Sequence, residues 1–176
     1  GDVYKRQVSG PVGVTPSVDG VTVINVESGR EMAGECENLF PSCDLAVMCA
    51  AVADYTVDHP AQNKIKREGH DVPEIPLVKN PDIARTLGQT KRPDQKIVGF
   101  ALETDHEATN AIEKMERKNL DMIVLNSLRD KGAGFATDTN KVTVFTRNDV
   151  NAREFPLKSK REVASDLADI IETFFK

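Results

Sequence analysis

No apolar run in this 176-residue chain approaches the roughly 20 residues needed to cross a bilayer, so the sequence offers no membrane-spanning helix. Its amino end, "GDVYKRQVSGPVG", lacks the apolar segment of a secretory signal. An excess of basic charge is missing too. The formal net charge is −5, which excludes a general binder of nucleic acid or of anionic membranes and makes any basic patch local. Cysteine is scarce: Cys36, Cys43 and Cys49 are the three, at spacings that fit no zinc pattern, and three histidines offer little help. An odd cysteine count without a secretory signal reads as reduced thiols in a cytoplasmic protein. Also absent are G-x-G-x-x-G, G-x-x-x-x-G-K-[ST] and G-x-S-x-G, the usual dinucleotide, phosphate-loop and serine-hydrolase devices.

What is there alternates. Short apolar strands are expected at 21–26, 44–53, 96–102, 121–126 and 141–145, with a weaker candidate at 74–80, where Pro76 favours an edge. Helices are announced by the capping-box pairs Ser28/Glu31, Thr104/Glu107 and Ser159/Glu162. Apolar residues then recur at helical spacing: Met32, Cys36, Leu39 and Phe40; Ala108, Ile112 and Met115; Val163, Leu167, Ile170, Ile171 and Phe174. A fourth helix is opened by "NPDIARTLG", with Asn80 as cap and Pro81 as first helical residue. The tail reads as a Gly-rich loop and a strand, hairpinned with "REFPLK" at 153–158. The expected fold is α/β: a Rossmann-like, doubly wound, mostly parallel sheet with helices on both faces and a small β extension near the C-terminus. One domain is expected over 8–176, lacking a first Gly-rich β-α segment, behind a non-native or disordered lead at 1–7.

Ligands of open α/β sheets bind beyond the carboxyl ends of the strands. That rule selects Asp54, Phe100, Glu103 and Asn126, with the helix start at Asn80–Pro81–Asp82 offering free amides to a phosphate. Lys64, Lys66, Lys114 and Lys118 could meet such a phosphate, and the last two share a helix face. Lysines in a last helical turn also complement its dipole whatever they bind, and a basic loop can simply be solvated.

Read together and in order, "AAVADY" (50–55), "KIKR" (64–67), "LVKNPDI" (77–83), "VGFALET" (98–104), "KNLDMIVLN" (118–126) and "GFATDTNKVTVF" (134–145) resemble phosphopantothenoylcysteine synthetases of the bacterial CTP-dependent type. The resemblance implies a two-step ligase of coenzyme A biosynthesis. CTP activates the carboxylate of 4′-phosphopantothenate as an acyl-cytidylate, and the amine of L-cysteine then attacks. It also implies magnesium, a homodimer, and fusion to a flavin-dependent decarboxylase whose FMN lies outside this chain. Nucleic acid and membrane are not expected partners. On the family's pattern Met48, Cys49, Ala50, Asp54, Lys64, Pro81, Asp82, Ile83, Ala84, Phe100, Lys114 and Lys118 would bind the nucleotide. Lys64 would be catalytic, Lys66 and Arg67 would complete a lid loop, and Asp54 would hold the metal. Arg67 stands where the family motif has lysine, keeping the charge but not the shape. The family's Asn-His-Ser-Ser-Gly-like segment is not among these residues, so this chain alone is expected to catalyse weakly. Two other readings remain: an NAD(P)-binding reductase-like domain, and a non-catalytic nucleotide-binding module.

Overall fold

The computed structural model describes residues 4–13, 19–61, 63, 74–127 and 137–176. The chain divides into two compact units with interleaved segments, one built from 1–36 and 50–83, the other from 37–49 and 84–176. The physical basis of the division is strand pairing, because the described strands of the first unit pair among themselves.

In the first unit, β1 (Lys5–Ser9) and β2 (Val21–Asn25) form a parallel pair, and β4 (Tyr55–Val57) pairs antiparallel with β5 (Leu77–Lys79). Strand β1 takes in the last residues of the expected lead. Lys5, Arg6 and Gln7 pair with Val21, Thr22 and Val23, so ordered sheet begins before residue 8. Helix α1 (Gly29–Leu39) starts in this unit. Ser28 Oγ accepts from the Glu31 amide at 3.2 Å, but the Glu31 carboxylate accepts from the Glu27 amide at 2.8 Å, one residue outside the expected box.

The second unit is organised by a five-stranded sheet in the order β10 (Asp149–Glu154), β9 (Val142–Thr146), β7 (Met122–Ser127), β6 (Lys96–Glu103), β3 (Leu45–Met48). Strands β3, β6 and β7 are parallel. Strands β9 and β10 turn antiparallel and form the expected C-terminal extension, although β10 begins at Asp149 rather than 153. A further small pair, β8 (Thr139–Asn140) with β11 (Lys158–Ser159), carries too little apolar pattern to be read in advance. On one face α4 (Lys160–Glu172) buries Val163, Leu167 and Ile170 against Val98, Met122, Val124, Val142 and Val144. Alternation along the strands turns Ile97, Ala101, Ile123 and Leu125 to the other face, where α3 (Glu107–Arg117) packs on β6 and β7.

Helix α3 buries Ala111 and Met115, whereas Ala108 is exposed, so the core stripe is displaced from the expected Ala108 position. The displacement follows its start. The cap is His106, left-handed at φ 44° with no side-chain cap bond, rather than Thr104. Helix α2 (Ile83–Thr90) likewise begins two residues after Pro81. Its Gly88 lies so close to the loop after α3 that an added Cβ would fall on the Lys118 carbonyl oxygen. There Asn119, left-handed at φ 54°, donates from Nδ2 to the Gly88 carbonyl at 2.6 Å.

The amino ends of the parallel strands are fastened by buried polar groups. Asp121 Oδ2 accepts from Lys91 Nζ at 2.7 Å and from the Ile97 amide at 2.8 Å, with the two side chains only 12% and 10% exposed. Gln95, fully buried, donates to the Phe40 and Cys43 carbonyls, both at 2.7 Å, and accepts from the Arg92 amide at 2.8 Å. Removing one partner of such an ion pair strands the other charge, so Asp121→Ala should lower unfolding free energy by about 3 kcal/mol. The exposed Glu172–Lys176 pair should lose under about 0.5 kcal/mol in Glu172→Gln. Urea melts of both variants check the contrast.

Helix α4 has the complete capping box foreseen for it. Glu162 accepts from the Ser159 hydroxyl at 2.6 Å and the Ser159 amide at 3.0 Å, while its own amide donates to Ser159 Oγ at 3.2 Å. The Ser159 hydroxyl first, then the Ser159 amide, hold the Glu162 carboxyl below the ordinary glutamate value of about 4.3. A lowered folded value means the stabilisation is present above the ordinary range and is lost as pH falls through the lowered midpoint. An NMR titration of Glu162 should give a midpoint below that of a free glutamate, and Ser159→Ala should move it upward.

Candidate functional site

Strand β3 stops at Met48, level with Gly99, whereas β6 and β7 run on together to Glu103 and Ser127. The second unit's sheet therefore has a step at its carboxyl end, where no described strand pairs with β6 beyond Gly99 on the β3 side. The expected strand 44–53 is cut short here. Alanines 50, 51 and 53 are poor strand residues, and the chain leaves the sheet through them. Met48 is half-buried and Cys49 exposed at the step. Phe100, half-buried, packs its ring against the α4 side of the core. By register Asn126 lies beside Leu102 on the next strand, on the same face as Phe100. Asn126 Oδ1 accepts from Asn140 Nδ2 at 2.9 Å.

Lys114 and Lys118 end α3, and both are half-buried. The turn after α3 packs on α2, with the Lys118 carbonyl and Asn119 against Gly88. Because α2 and α3 each lead into a parallel strand, they run in the same sense, and Ala84 in the first turn of α2 precedes Gly88 by one helical turn.

In the first unit Asp54 is exposed, and its carbonyl accepts from the Asn80 amide at 2.9 Å. Asn80 Nδ2 donates to the Ala53 carbonyl at 2.8 Å. Asn80 is therefore committed to the strand-exit backbone rather than capping α2, which corrects the cap expected of it. Its buried Oδ1 has no hydrogen-bond partner among the described residues, an acceptor held inward at the head of the Pro81–Asp82–Ile83 segment. Gly29 makes room for this arrangement, since a Cβ there would come within 2.9 Å of Val52 and 3.3 Å of the Asn80 amide. Pro81 and Asp82 are exposed and Ile83 is buried. Lys64, Lys66 and Arg67 lie outside the described residues.

Among the described residues no three His, Cys, Asp or Glu side chains group as a metal site. A lone exposed carboxylate such as Asp54 suits magnesium, which is commonly held by one or two carboxylates together with substrate phosphates and waters. Sequence reasoning missed Asn140. Its only signal was "DTNK" ahead of a strand, which reads as a turn.

Parallel strands stepped at their carboxyl ends, with helices on both faces, define a Rossmann-like α/β domain. The chain belongs to the family described as the DNA/pantothenate metabolism flavoprotein C-terminal domain, matched over residues 6–174. It is 40% identical over 170 residues to the coenzyme A biosynthesis bifunctional protein CoaBC of Haemophilus influenzae, covering 96% of this chain and 41% of that protein. A cysteine/cysteine sulfinic acid decarboxylase from an unknown prokaryotic organism is 49% identical over 160 residues, 91% of this chain and 44% of its own length. The chain thus spans less than half the length of these curated relatives. The crystal structure of a CoaBC C-terminal domain superposes with TM-score 0.78 at 32% identity, covering 97% of this chain and 74% of that one. A Cab2 variant in complex with phosphopantothenate-cysteine shares the fold, with TM-score 0.68 at 16% identity, over 89% of this chain and 55% of that one.

The step also ranks the thiols. Cys43 is half-buried and donates from Sγ to the Leu39 carbonyl at 3.3 Å, whereas Cys49 is exposed. Maleimide labelling followed by peptide mass spectrometry should modify Cys49 first, roughly tenfold faster than Cys43.

Proposed function

We infer that this chain is the phosphopantothenate–cysteine ligase part of a coenzyme A biosynthetic protein. The observation that carries the reading is the 40% identity to a CoaBC protein along 96% of the chain. In the first step a carboxylate oxygen of 4′-phosphopantothenate attacks the α-phosphorus of CTP, and the bond to the β-phosphate breaks to release pyrophosphate. In the second, the cysteine nitrogen attacks the acyl carbon, the bond to the cytidylate oxygen breaks, and CMP leaves as the amine gives up a proton.

The first step brings two anions together, so fixed cations and dipoles supply most of the help a protein can give. In the second unit, Lys114 and Lys118 would meet the phosphates beside Ala84, while Phe100 packs on the nucleotide and Met48 and Cys49 border it. In the first, Ala50 would pass its backbone along the nucleotide, Asp54 would bind it or its magnesium, and Pro81, Asp82 and Ile83 would lead into a helix start favourable to negative charge. Magnesium, when bound, would neutralise phosphate charge. Lys64 would act as the catalytic cation, with Lys66 and Arg67 beside it on a lid that keeps water from the acyl-cytidylate.

The share of each relative left uncovered supports a fused decarboxylase half carrying FMN, and a homodimer in the cytoplasm completes the reading. The absence of a G-x-G-x-x-G fingerprint disfavours a reductase.

Calorimetric titration with CTP and magnesium, with ATP and NADPH as controls, tests the proposal. CTP should bind, and Lys114→Ala or Asp54→Ala should each weaken it roughly tenfold or more. The full-length protein should release pyrophosphate from CTP only when 4′-phosphopantothenate is supplied. Selective binding of NADPH would overturn the ligase reading.

A further inference from the structure

Two hydrogen bonds from one residue hold the backbone on either side of Asp54. The Asn80 amide donates to the Asp54 carbonyl at 2.9 Å, and Asn80 Nδ2 donates to the Ala53 carbonyl at 2.8 Å. Each carbonyl lies in a rigid peptide plane, and these two planes meet at the Asp54 α-carbon. Holding both restricts the two backbone torsions of Asp54, and with them the direction in which its side chain leaves the chain. Asp54 is exposed, so its aim comes from this root rather than from packing around its tip. The pairing of Tyr55 with Lys79 continues the clasp into β4 and β5, and all of these residues belong to the first unit.

The Asn80 carboxamide is itself fixed in polarity. A carbonyl can only accept, so Nδ2 must face Ala53, and Oδ1 is left buried without a donor among the described residues. A buried acceptor left unanswered costs stability, yet turning the amide over would set oxygen against oxygen at Ala53. The fold carries that cost at the one place where it holds the Ala53 carbonyl. Gly29 gives the carboxamide its seat, because a Cβ there would come within 3.3 Å of Asn80 Cγ and Nδ2 and 2.9 Å of Val52.

We propose that Asn80 is the positioning residue for Asp54: by holding the peptide planes on both sides, it presents the carboxylate to the magnesium nucleotide in one direction. The assignment rests on the ligase reading above and adds a residue that acts through Asp54 rather than on the ligand. A carboxylate already aimed needs no reordering of its backbone when the ligand arrives.

The test is a double-mutant cycle read by calorimetry, titrating CTP with magnesium into the full-length protein that carries this chain. Asn80→Ala should weaken CTP binding roughly fivefold in the parent and less than about twofold once Asp54 is alanine, because its effect passes through that carboxylate. Gly29→Ala, which presses on the carboxamide while leaving Asn80 in place, should show the same dependence on Asp54, and it supplies the test if Asn80→Ala fails to fold. A residue that only supported the fold would weaken binding equally in both backgrounds, in step with melting temperature, and that result would overturn the assignment. So would a loss below about twofold in the parent while Asp54→Ala still weakens CTP, and in both cases the ligase reading stands. An Asp54→Ala variant that binds CTP as the parent does would remove the carboxylate's role and the assignment with it. A parent that binds no CTP would overturn the ligase reading, and the assignment falls with it.

Discussion

The second unit depends on one buried carboxylate. Asp121 stands at the entrance to β7, takes the Lys91 ammonium and the Ile97 amide on a single oxygen, and through its own backbone joins Ile97 and Arg147. Four segments of chain therefore meet there: the exit of α2, the start of β6, the start of β7 and the turn after β9. With Gln95 tying the same edge to Phe40 and Cys43, the amino ends of the parallel strands have their polar groups answered from within the protein. Fixing one end of the sheet leaves the other available, and the irregular features all collect at the carboxyl end.

That division of labour explains which cations suit which task. Lys91 is committed to Asp121, and Lys158 to Asp166 at 2.7 Å, so their charge serves the fold. The pair on α3 is placed by packing of a different kind, a glycine in one helix seated on the turn that ends another. At the strand ends the groups offered are an amide, an aromatic ring and backbone. None of these groups carries a formal charge of its own, in a chain whose net charge is −5.

Much of this was legible in the residues. The β6 and β7 strands are apolar on both faces, and the Val163–Leu167–Ile170 stripe of α4 follows helical spacing without exception, so both were readable from pattern alone. The failures have local causes. Thr104 and Glu107 carry the letters of a capping box, but His106 takes the left-handed turn that starts α3, and no periodicity reports a backbone dihedral. Asn80 sits where a cap belongs yet spends its amide on Ala53, a partner 27 residues away. Asn140 could not be found because its meaning comes from Asn126 across a strand pairing, and two-residue strands such as β8 leave almost no mark on a sequence. The grouping into two units depends on which strands pair, and pairing is decided by long-range register.

The seat of Gly88 against Lys118 has one more consequence. A side chain there would push α2 away from the turn that ends α3, where the Lys118 carbonyl and Asn119 meet it. In a survey of tolerated substitutions, position 88 would then behave like a residue of the chemistry although it has no side chain to offer. Sensitivity to replacement would mark a hinge pin as readily as a working part, and only a measurement that separates folding from turnover would tell the two apart.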